Sequence, residues 1–228
     1  MTLNDIYLLS PELSIAILAG LLLVVDLCFQ RKIYIAPIAI VGLAIPLALS
    51  ISLWLDFDST TGALVNDGLL AKTFTVDRFS IFFKLLLIGT AATVILISRD
   101  HARRFRSFEA EFYSLLLFST SGMMLLSSSI ELITIYVSLE LTALPVAALV
   151  AFSRDGRSSE AGLKFLVLSG ISSALLLYGM VLVYGLTGTT VLSEISIRLS
   201  TIGISTNFPA GSYALLFGIV LVIAGFGF

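Results

Sequence analysis

The stretch Y-V-S-L-E-L-T-A-L-P-V-A-A-L, residues 136–149, is uncharged and mostly apolar except for one acid, Glu140. Apolar residues continue on both sides, and about 20 of them suffice to cross a bilayer as a helix. Glu140 then lies roughly ten residues, about 15 Å, into the helix and near mid-membrane. A charge at that depth costs about 2.5–3.5 kcal/mol, so we expect the acid to be paired, neutralised or functional.

The rest of the chain shares this apolar character. Of its 228 residues, 58% are hydrophobic and only 12% are charged, and the mean hydropathy is +1.07. Soluble domains are about 25% charged, and one soluble core could not bury so much apolar surface. The composition therefore predicts an all-α protein that crosses a membrane several times.

Composition also excludes several kinds of site. A net charge of −2 gives no indication of nucleic-acid binding. The chain has one cysteine, Cys28, and one histidine, His101, which cannot make a transition-metal or iron–sulfur site. It also has no glycine-rich nucleotide loop between a strand and a helix. We therefore expect no cofactor in this chain.

Seven stretches qualify, or nearly qualify, as membrane spans: 6–29, 33–55, 79–98, 112–126, 130–152, 161–186 and 212–228. The two longest connections, 56–77 and 187–211, are expected outside the membrane. Within the first of them, T-F-T-V-D at 73–77 could be a short strand or simply extended chain. We interpret residues 1–228 as one transmembrane domain.

Basic residues in the connections predict the orientation, since they collect on the inner side of a membrane. Eight of them follow the first, third and fifth spans, so those connections face inward and the N-terminus lies on the outer side. The run S-R-D-H-A-R-R-F-R at 98–106 anchors the chain among head groups or docks a neighbouring subunit. The eight are Arg31, Lys32, Arg99, Arg103, Arg104, Arg106, Arg154 and Arg157.

Residues around Glu140 suit a proton carrier, because burial raises a carboxyl pKa and a nearby cation lowers it again. Tyr136, one helical turn away, could hydrogen-bond the carboxyl group. Pro145 removes the backbone donor for the carbonyl of Leu141, either as a packing kink or as a source of an extra polar group. Three hydroxyl residues on nearly the opposite face are expected to pack against another helix: Thr134, Ser138 and Thr142.

Three further charges fall inside predicted spans. Lys164 near the start of the sixth span either reaches the inner interface or acts as a counter-charge for Glu140, through water rather than directly. Lys84 in the third span either reaches outward past Arg78 or supports the proton relay. Asp26 at the end of the first span is expected to pair with Arg31 and Lys32.

Long motifs over almost the whole chain resemble one family. The stretch at 111–128, E-F-Y-S-L-L-L-F-S-T-S-G-M-M-L-L-S-S, and the next at 131–145, E-L-I-T-I-Y-V-S-L-E-L-T-A-L-P, are similar to the fourth and fifth helices of subunit N of respiratory complex I. Residues 158–185 resemble its sixth helix, and P-E-L at 11–13 and V-D-R-F-S-I-F-F at 76–83 also fit. In mitochondria this family is called NADH dehydrogenase subunit 2.

The resemblance implies a fold and a function. Helices 1–3, at 6–98, would precede the first five-helix repeat of an antiporter-like inverted-repeat bundle, which starts at 112. The subunit would translocate protons in an energy-transducing bacterial or mitochondrial inner membrane, coupled to quinone reduction. Glu140 matches the essential fifth-helix glutamate and Lys164 the sixth-helix lysine. Other membrane-arm subunits would be its partners, while NADH, FMN, iron–sulfur clusters and quinone would bind other subunits.

One departure concerns length. Family members are about twice as long, and the lysine that usually partners the fifth-helix glutamate would follow G-F-G-F at 225–228. We expect the chain to be an N-terminal half that does not pump protons alone. Two alternatives stay open: a subunit of a related cation/proton antiporter or membrane-bound hydrogenase, and a non-catalytic scaffold half of a split subunit.

Overall fold

The computed structural model describes residues 3–28, 34–56, 72–102, 108–202 and 210–227. In these ranges the chain is almost entirely helical, which confirms the all-α prediction. The helices, in chain order, are α1 Leu3–Leu8, α2 Ser10–Cys28, α3 Ile35–Gly42, α4 Ala44–Leu55, α5 Arg78–Ala102, α6 Glu109–Ser128, α7 Leu132–Val150, α8 Gly156–Thr187, α9 Leu192–Ile202 and α10 Ala210–Gly227.

Among the described residues each predicted span falls largely on helix, and five helical stretches are long and apolar enough to cross a membrane. They are α2, α3 with α4, α5, α7 and α8. Helix α10 is a shorter apolar helix. Helix α6 is a continuous 20-residue helix whose apolar sequence contains several serines. The outward faces of the spans carry large apolar side chains such as Leu27, Ile97 and Leu166. A bilayer or apolar protein surfaces can cover these faces.

The second predicted span is broken into α3 and α4 at Leu43. Pro46 lacks the N–H that would bond the carbonyl of Gly42, so the regular helical ladder fails at this point. The backbone nevertheless continues through bonds from Leu43 N to Ala39 O and from Leu47 N to Leu43 O, both 3.2 Å. The break therefore interrupts the span without ending it.

The sixth predicted span begins five residues earlier than expected, at Gly156 rather than at 161. Asp155 caps it, because its carboxylate accepts a 2.9 Å hydrogen bond from the backbone N–H of Ser158. As a result Lys164 lies two turns inside α8 rather than one.

The connection at 187–211 contains a helix, α9, that the composition did not predict. Its Ile195 and Leu199, one turn apart, form an apolar face that packs against Leu132, Leu176 and other apolar residues of the bundle. Polar residues interleave with these positions, which is why the segment does not read as a span. Helix α9 lies over the same end of the bundle as the turn between α6 and α7.

T-F-T-V-D at 73–77 is extended chain that pairs with the α6–α7 turn through one isolated bridge, Phe74 to Ser129. Thr75 N donates to Ser128 O at 2.9 Å, and Ile130 N donates to Thr73 O at 3.0 Å. A second bridge joins Glu131 to Val191. Both long connections are thus fastened to one turn, at the predicted outer end.

Helix α6 is the centre of the bundle and packs against α2, α5 and α7. Its Ser114 Oγ donates to Ala19 O at 2.7 Å, and its Ser121 Oγ contacts Glu12 O at 3.5 Å. The contact partner on α6 moves from Ser121 back to Ser114 as the position on α2 moves forward from Glu12 to Ala19. The two helices are therefore antiparallel. The surrounding core includes Ile15, Leu22, Ile88, Ile95, Tyr113, Leu117 and Met124.

The α6–α7 crossing is close because Gly122 has no side chain. A Cβ there would lie 2.6 Å from Thr142 Oγ1 and 2.8 Å from Thr142 N. Ser119 Oγ donates to Thr142 O at 3.2 Å, and Ser138 is buried. For Ser138 and Thr142 the structure agrees with the prediction that the hydroxyl face of this span packs against another helix, and that helix is α6.

Gly122→Ala should destabilise the folded chain by about 1–3 kcal/mol, because the new methyl group meets rigid backbone at the crossing. Gly170→Ala is the matched control, since nothing lies within 4 Å of a Cβ at that position. Equilibrium unfolding in detergent micelles measures the difference. Equal stability of the two variants would show that the crossing tolerates the methyl group.

The predicted outer end is held by a small polar network around Glu194. Thr189 Oγ1 donates to Glu194 at 2.7 Å, and Lys72 Nζ lies 3.2 Å from the same carboxylate. The Thr189 hydroxyl, and secondly the Lys72 ammonium, lower the Glu194 pKa below its ordinary value of 4.5. This network ties the chain before α5 to α9.

The lowered pKa predicts how α9 responds to pH. A carboxyl with a lowered pKa stabilises the folded form fully above its ordinary pKa and loses that contribution as pH falls through the lowered value. Amide hydrogen exchange in α9 should therefore stay slow down to about pH 4.5 and rise only below it. Thr189→Val should make this rise smaller, because the folded-state pKa of Glu194 then returns toward 4.5 and less stability is lost on acidification. An equal rise in that variant would exclude the hydroxyl as the cause.

Candidate functional site

Glu140 is the ninth residue of α7 and is half-buried. Ser138 and Thr142 face α6, and each is two residues from Glu140, or about 200° around the helix. The acid therefore points away from α6 and toward the side of α7 that meets α8. Its position in the middle of an apolar span is as predicted.

Tyr136 lies one turn nearer the predicted outer end, and its phenol is close enough to Glu140 to interact electrostatically with the carboxyl group. The same tyrosine lines a cleft of about 480 Å³ between α7 and α8. The remaining lining residues are mostly apolar, and they are Leu132, Ile133, Leu177, Met180, Val181, Tyr184 and Thr190. The phenol is thus a polar neighbour of Glu140 at the edge of an apolar cleft.

Pro145 is buried inside α7, and the helix continues past it to Val150. The proline has no N–H for the carbonyl of Leu141, the residue after Glu140. That carbonyl is a hydrogen-bond acceptor close to the acid. Buried acceptors of this kind are normally satisfied by another group or by water.

Lys164 pairs with Glu160, one turn earlier in α8, at 2.5 Å. Both side chains are largely exposed on this chain, 74% and 64% respectively. Gly162 packs against Ala151 at the end of α7, so Lys164 lies near the level of Leu149. Glu140 is nine residues from that level, or about 13 Å along the helix. The structure therefore pairs Lys164 with Glu160 and separates it from Glu140, as the depth argument anticipated.

Lys84 contradicts the expectation that it reaches outward past Arg78. Its side chain is fully buried, and its Nζ lies 2.7 Å from Oε1 of Glu12, which is 2% exposed. The pair joins α2 to α5 on the opposite side of α6 from α7. A lysine seven residues into α5 is held inside the bundle because a carboxylate on the neighbouring helix faces it.

Glu12 belongs to the P-E-L motif at 11–13, but the sequence did not identify it as the partner of Lys84. It stands in the first turn of α2, where an acid ordinarily complements the helix dipole near the membrane surface. Helix α1 ends only two residues before α2 begins, so Glu12 is deeper in the bundle than the start of an apolar run suggests. The available signal in the sequence was the depth of Lys84 inside an apolar span, because a lysine that cannot reach the membrane surface needs an acidic partner.

Asp26 lies in the last turn of α2 and is half-buried. The residues expected to pair with it, Arg31 and Lys32, lie outside the described residues, as do Arg103, Arg104 and Arg106 of the basic run at 98–106. Within the described ranges, no group of three histidine, cysteine or acidic residues is arranged to hold a metal ion.

Comparison with known proteins places this geometry in a family. Residues 129–228, which include α7, α8 and α10, match the family model described as NADH:quinone oxidoreductase/Mrp antiporter, TM. A chain of respiratory complex I from Thermus thermophilus superposes with a TM-score of 0.70 at 26% identity, over 95% of this chain and 43% of that one. A chain of an archaeal membrane-bound sulfane sulfur reductase shares the fold, with a TM-score of 0.75 at 21% identity, over 96% and 43%.

Relatives of known name match across the chain. NADH-quinone oxidoreductase subunit N of Dehalococcoides mccartyi is 37% identical over 222 residues, which is 97% of this chain and 44% of the relative. Subunit N of Heliobacterium modesticaldum is 43% identical over 165 residues, 72% of this chain and 33% of the relative. This chain spans less than half the length of these relatives. On the strength of these matches and of the shared fold, the chain belongs to the NADH-quinone oxidoreductase subunit N family.

Proposed function

We propose that this chain is part of a proton-translocating membrane-arm subunit of an NADH-quinone oxidoreductase, in which Glu140 exchanges the translocated proton. The observation that carries the proposal is a carboxyl group in the middle of an apolar span, half-buried beside the Tyr136 phenol. Relatives named for this complex match nearly the whole chain. Such a carboxyl group can bind and release a proton without leaving the membrane interior.

The surroundings of Glu140 suit proton exchange for three physical reasons. The cleft beside Tyr136 is lined mostly by apolar side chains, so few other polar groups compete for the proton of Glu140. The Tyr136 hydroxyl can donate to the carboxylate, and the free carbonyl of Leu141 can accept from a protonated carboxyl group or from water. Small Ala143 on the same face leaves room for a proton-carrying water. Pro145 acts through the carbonyl that it frees.

Lys164 acts on Glu140 at a distance in this proposal. The 13 Å separation estimated above is too great for a direct ion pair, so a water-bridged relay connects them. Glu160 holds the ammonium group back toward the start of α8. Breaking this exposed pair costs little, which allows Lys164 to turn toward Glu140 and lower the energy of its carboxylate form.

The setting follows from the same proposal. The subunit lies in an energy-transducing inner membrane, most simply a bacterial plasma membrane, with the N-terminus outside. Its neighbours are other membrane-arm subunits and lipid, which cover the apolar outward faces of the spans. This chain holds no redox cofactor, and NADH, FMN, iron–sulfur clusters and quinone bind other subunits. Coupling reaches Glu140 through charge movements in neighbouring subunits.

The test of the proposal is Glu140→Gln in the complete subunit within its assembled complex. The amide keeps the size of the side chain but cannot bind or release a proton at neutral pH. We expect proton translocation to be lost while assembly and electron transfer to quinone persist. Glu194→Gln, an acid outside the spans, is the control and should translocate normally. An unchanged proton-to-electron ratio in Glu140→Gln would refute the role of this acid.

A second variant tests the role of Lys164. Lys164→Met removes the charge and keeps the length of the side chain, and it should slow proton translocation because Glu140 then lacks its counter-charge. Glu160→Gln is the matched control, since it removes the same ion pair but keeps the lysine. We expect Glu160→Gln to translocate at close to the parent rate in proteoliposomes. Equal losses in both variants would assign the effect to the ion pair rather than to the lysine.

A further inference from the structure

The Glu12–Lys84 pair is the most enclosed charged contact among the described residues. Both side chains lie within membrane-spanning helices, and their exposed fractions are 2% and 0%. Each charge has been taken out of water at considerable cost, which the attraction at 2.7 Å offsets only if hydrogen bonds satisfy the remaining sites. The stability of the charged form therefore depends on the hydrogen bonding of this pair.

Hydrogen bonding within the pair is incomplete. An ionised carboxylate offers about four acceptor sites and an ammonium group three donors. Among the described residues, neither carboxylate oxygen of Glu12 nor Nζ of Lys84 has a well-aligned hydrogen-bond partner from the protein. The charged form is held by proximity alone. Moving one proton from the ammonium to the carboxylate would leave two neutral groups, which tolerate an apolar environment better.

The location of the pair relates it to Glu140. Ser121 of α6 contacts the backbone carbonyl of Glu12, and the next residue, Gly122, packs against Thr142 of α7. Thr142 is about half a turn from Glu140. The two acids therefore lie near one level of the bundle, on opposite sides of α6. The α6 positions between them include buried hydroxyl groups, those of Ser119, Thr120 and Ser121.

We propose that Glu12 and Lys84 form a second proton-exchange site of this chain. A proton passes from Nζ of Lys84 to Oε1 of Glu12, breaking one N–H bond and forming one O–H bond, and yields an amine and a carboxylic acid. The acid then releases its proton to water, and the amine takes up another proton from water, which regenerates the ion pair. One proton enters and one leaves in each cycle.

This inference rests on the proposed function, because it assigns the second site to the same translocating subunit. Its alternative is a purely structural pair that joins α2 to α5. A structural pair needs the positive charge and the contact but never releases a proton. Arginine separates these roles, because a guanidinium group keeps its charge and pairs with carboxylates but does not deprotonate in proteins.

The experiment uses the complete subunit in its assembled complex, reconstituted in proteoliposomes. Three variants are compared with the parent: Lys84→Arg, Lys84→Met, and the double variant Glu12→Gln with Lys84→Met. Lys84→Met alone leaves a buried unpaired acid and should impair assembly. Lys84→Arg and the double variant should assemble and reduce quinone, yet the share of protons that passes through this site should be lost, so that their proton-to-electron ratio falls below that of the parent.

A parent-like ratio in either Lys84→Arg or the double variant would overturn the proposal and leave a structural pair. Infrared difference spectroscopy during turnover keeps the test decisive if both variants fail to assemble. The proposal requires a protonated-carboxyl band that shifts in D₂O, disappears in Glu12→Gln and persists in Glu140→Gln. Absence of a band that depends on Glu12 would also overturn it. The proposed function is tested by a different variant. Normal proton translocation in Glu140→Gln would refute the proposed function, whatever the result at Glu12 and Lys84.

Discussion

Close packing around helix α6 is the constraint on which the rest of the described bundle depends. Lipid offers helices little hydrophobic drive to associate, so their contacts rely on small residues and on hydrogen bonds between helices. Helix α6 supplies both, with Gly122 against Thr142 on one side and Ser114 and Ser121 against the α2 backbone on the other. These serines lower the mean hydropathy of α6 itself. A helix that is less apolar than its neighbours is therefore placed at the centre of the bundle, where its polar atoms find partners.

The charged residues of the spans reach three different environments around this centre. Glu140 is half-buried beside a tyrosine. Lys164 is exposed on the surface of this chain and pairs with Glu160, and a bilayer or a neighbouring protein segment can contact it there. Glu12 and Lys84 are enclosed and face one another. The free energy needed to break an ion pair differs between these environments. Breaking the exposed Lys164–Glu160 pair costs little, whereas breaking the enclosed Glu12–Lys84 pair leaves an uncompensated buried charge.

The predicted outer end of the bundle is organised by backbone pairing rather than by a separate domain. The chain before α5 and the chain before α9 both bond to residues 128–132, between α6 and α7. Side chains reinforce this arrangement through Glu131, which accepts from Thr134 and Thr190, and through the Lys72–Glu194 pair. The outward end of α7, and hence the cleft next to Tyr136, is thereby held in a defined position relative to α8.

The amino-acid sequence by itself determined the membrane class, the positions of the spans and the family, and it singled out Glu140 as the candidate proton carrier. These properties are local: hydropathy, helical spacing and contiguous motifs depend on residues that are near one another in the chain. The closeness of Tyr136 to Glu140 and the separation of Lys164 from it also followed from spacing along helices. Only the tertiary structure decided that Lys84 is enclosed, that its partner is Glu12 and that α9 covers one end of the bundle. Those outcomes depend on which helices become neighbours, and residues 72 positions apart carry no mark in the sequence that they will form one ion pair.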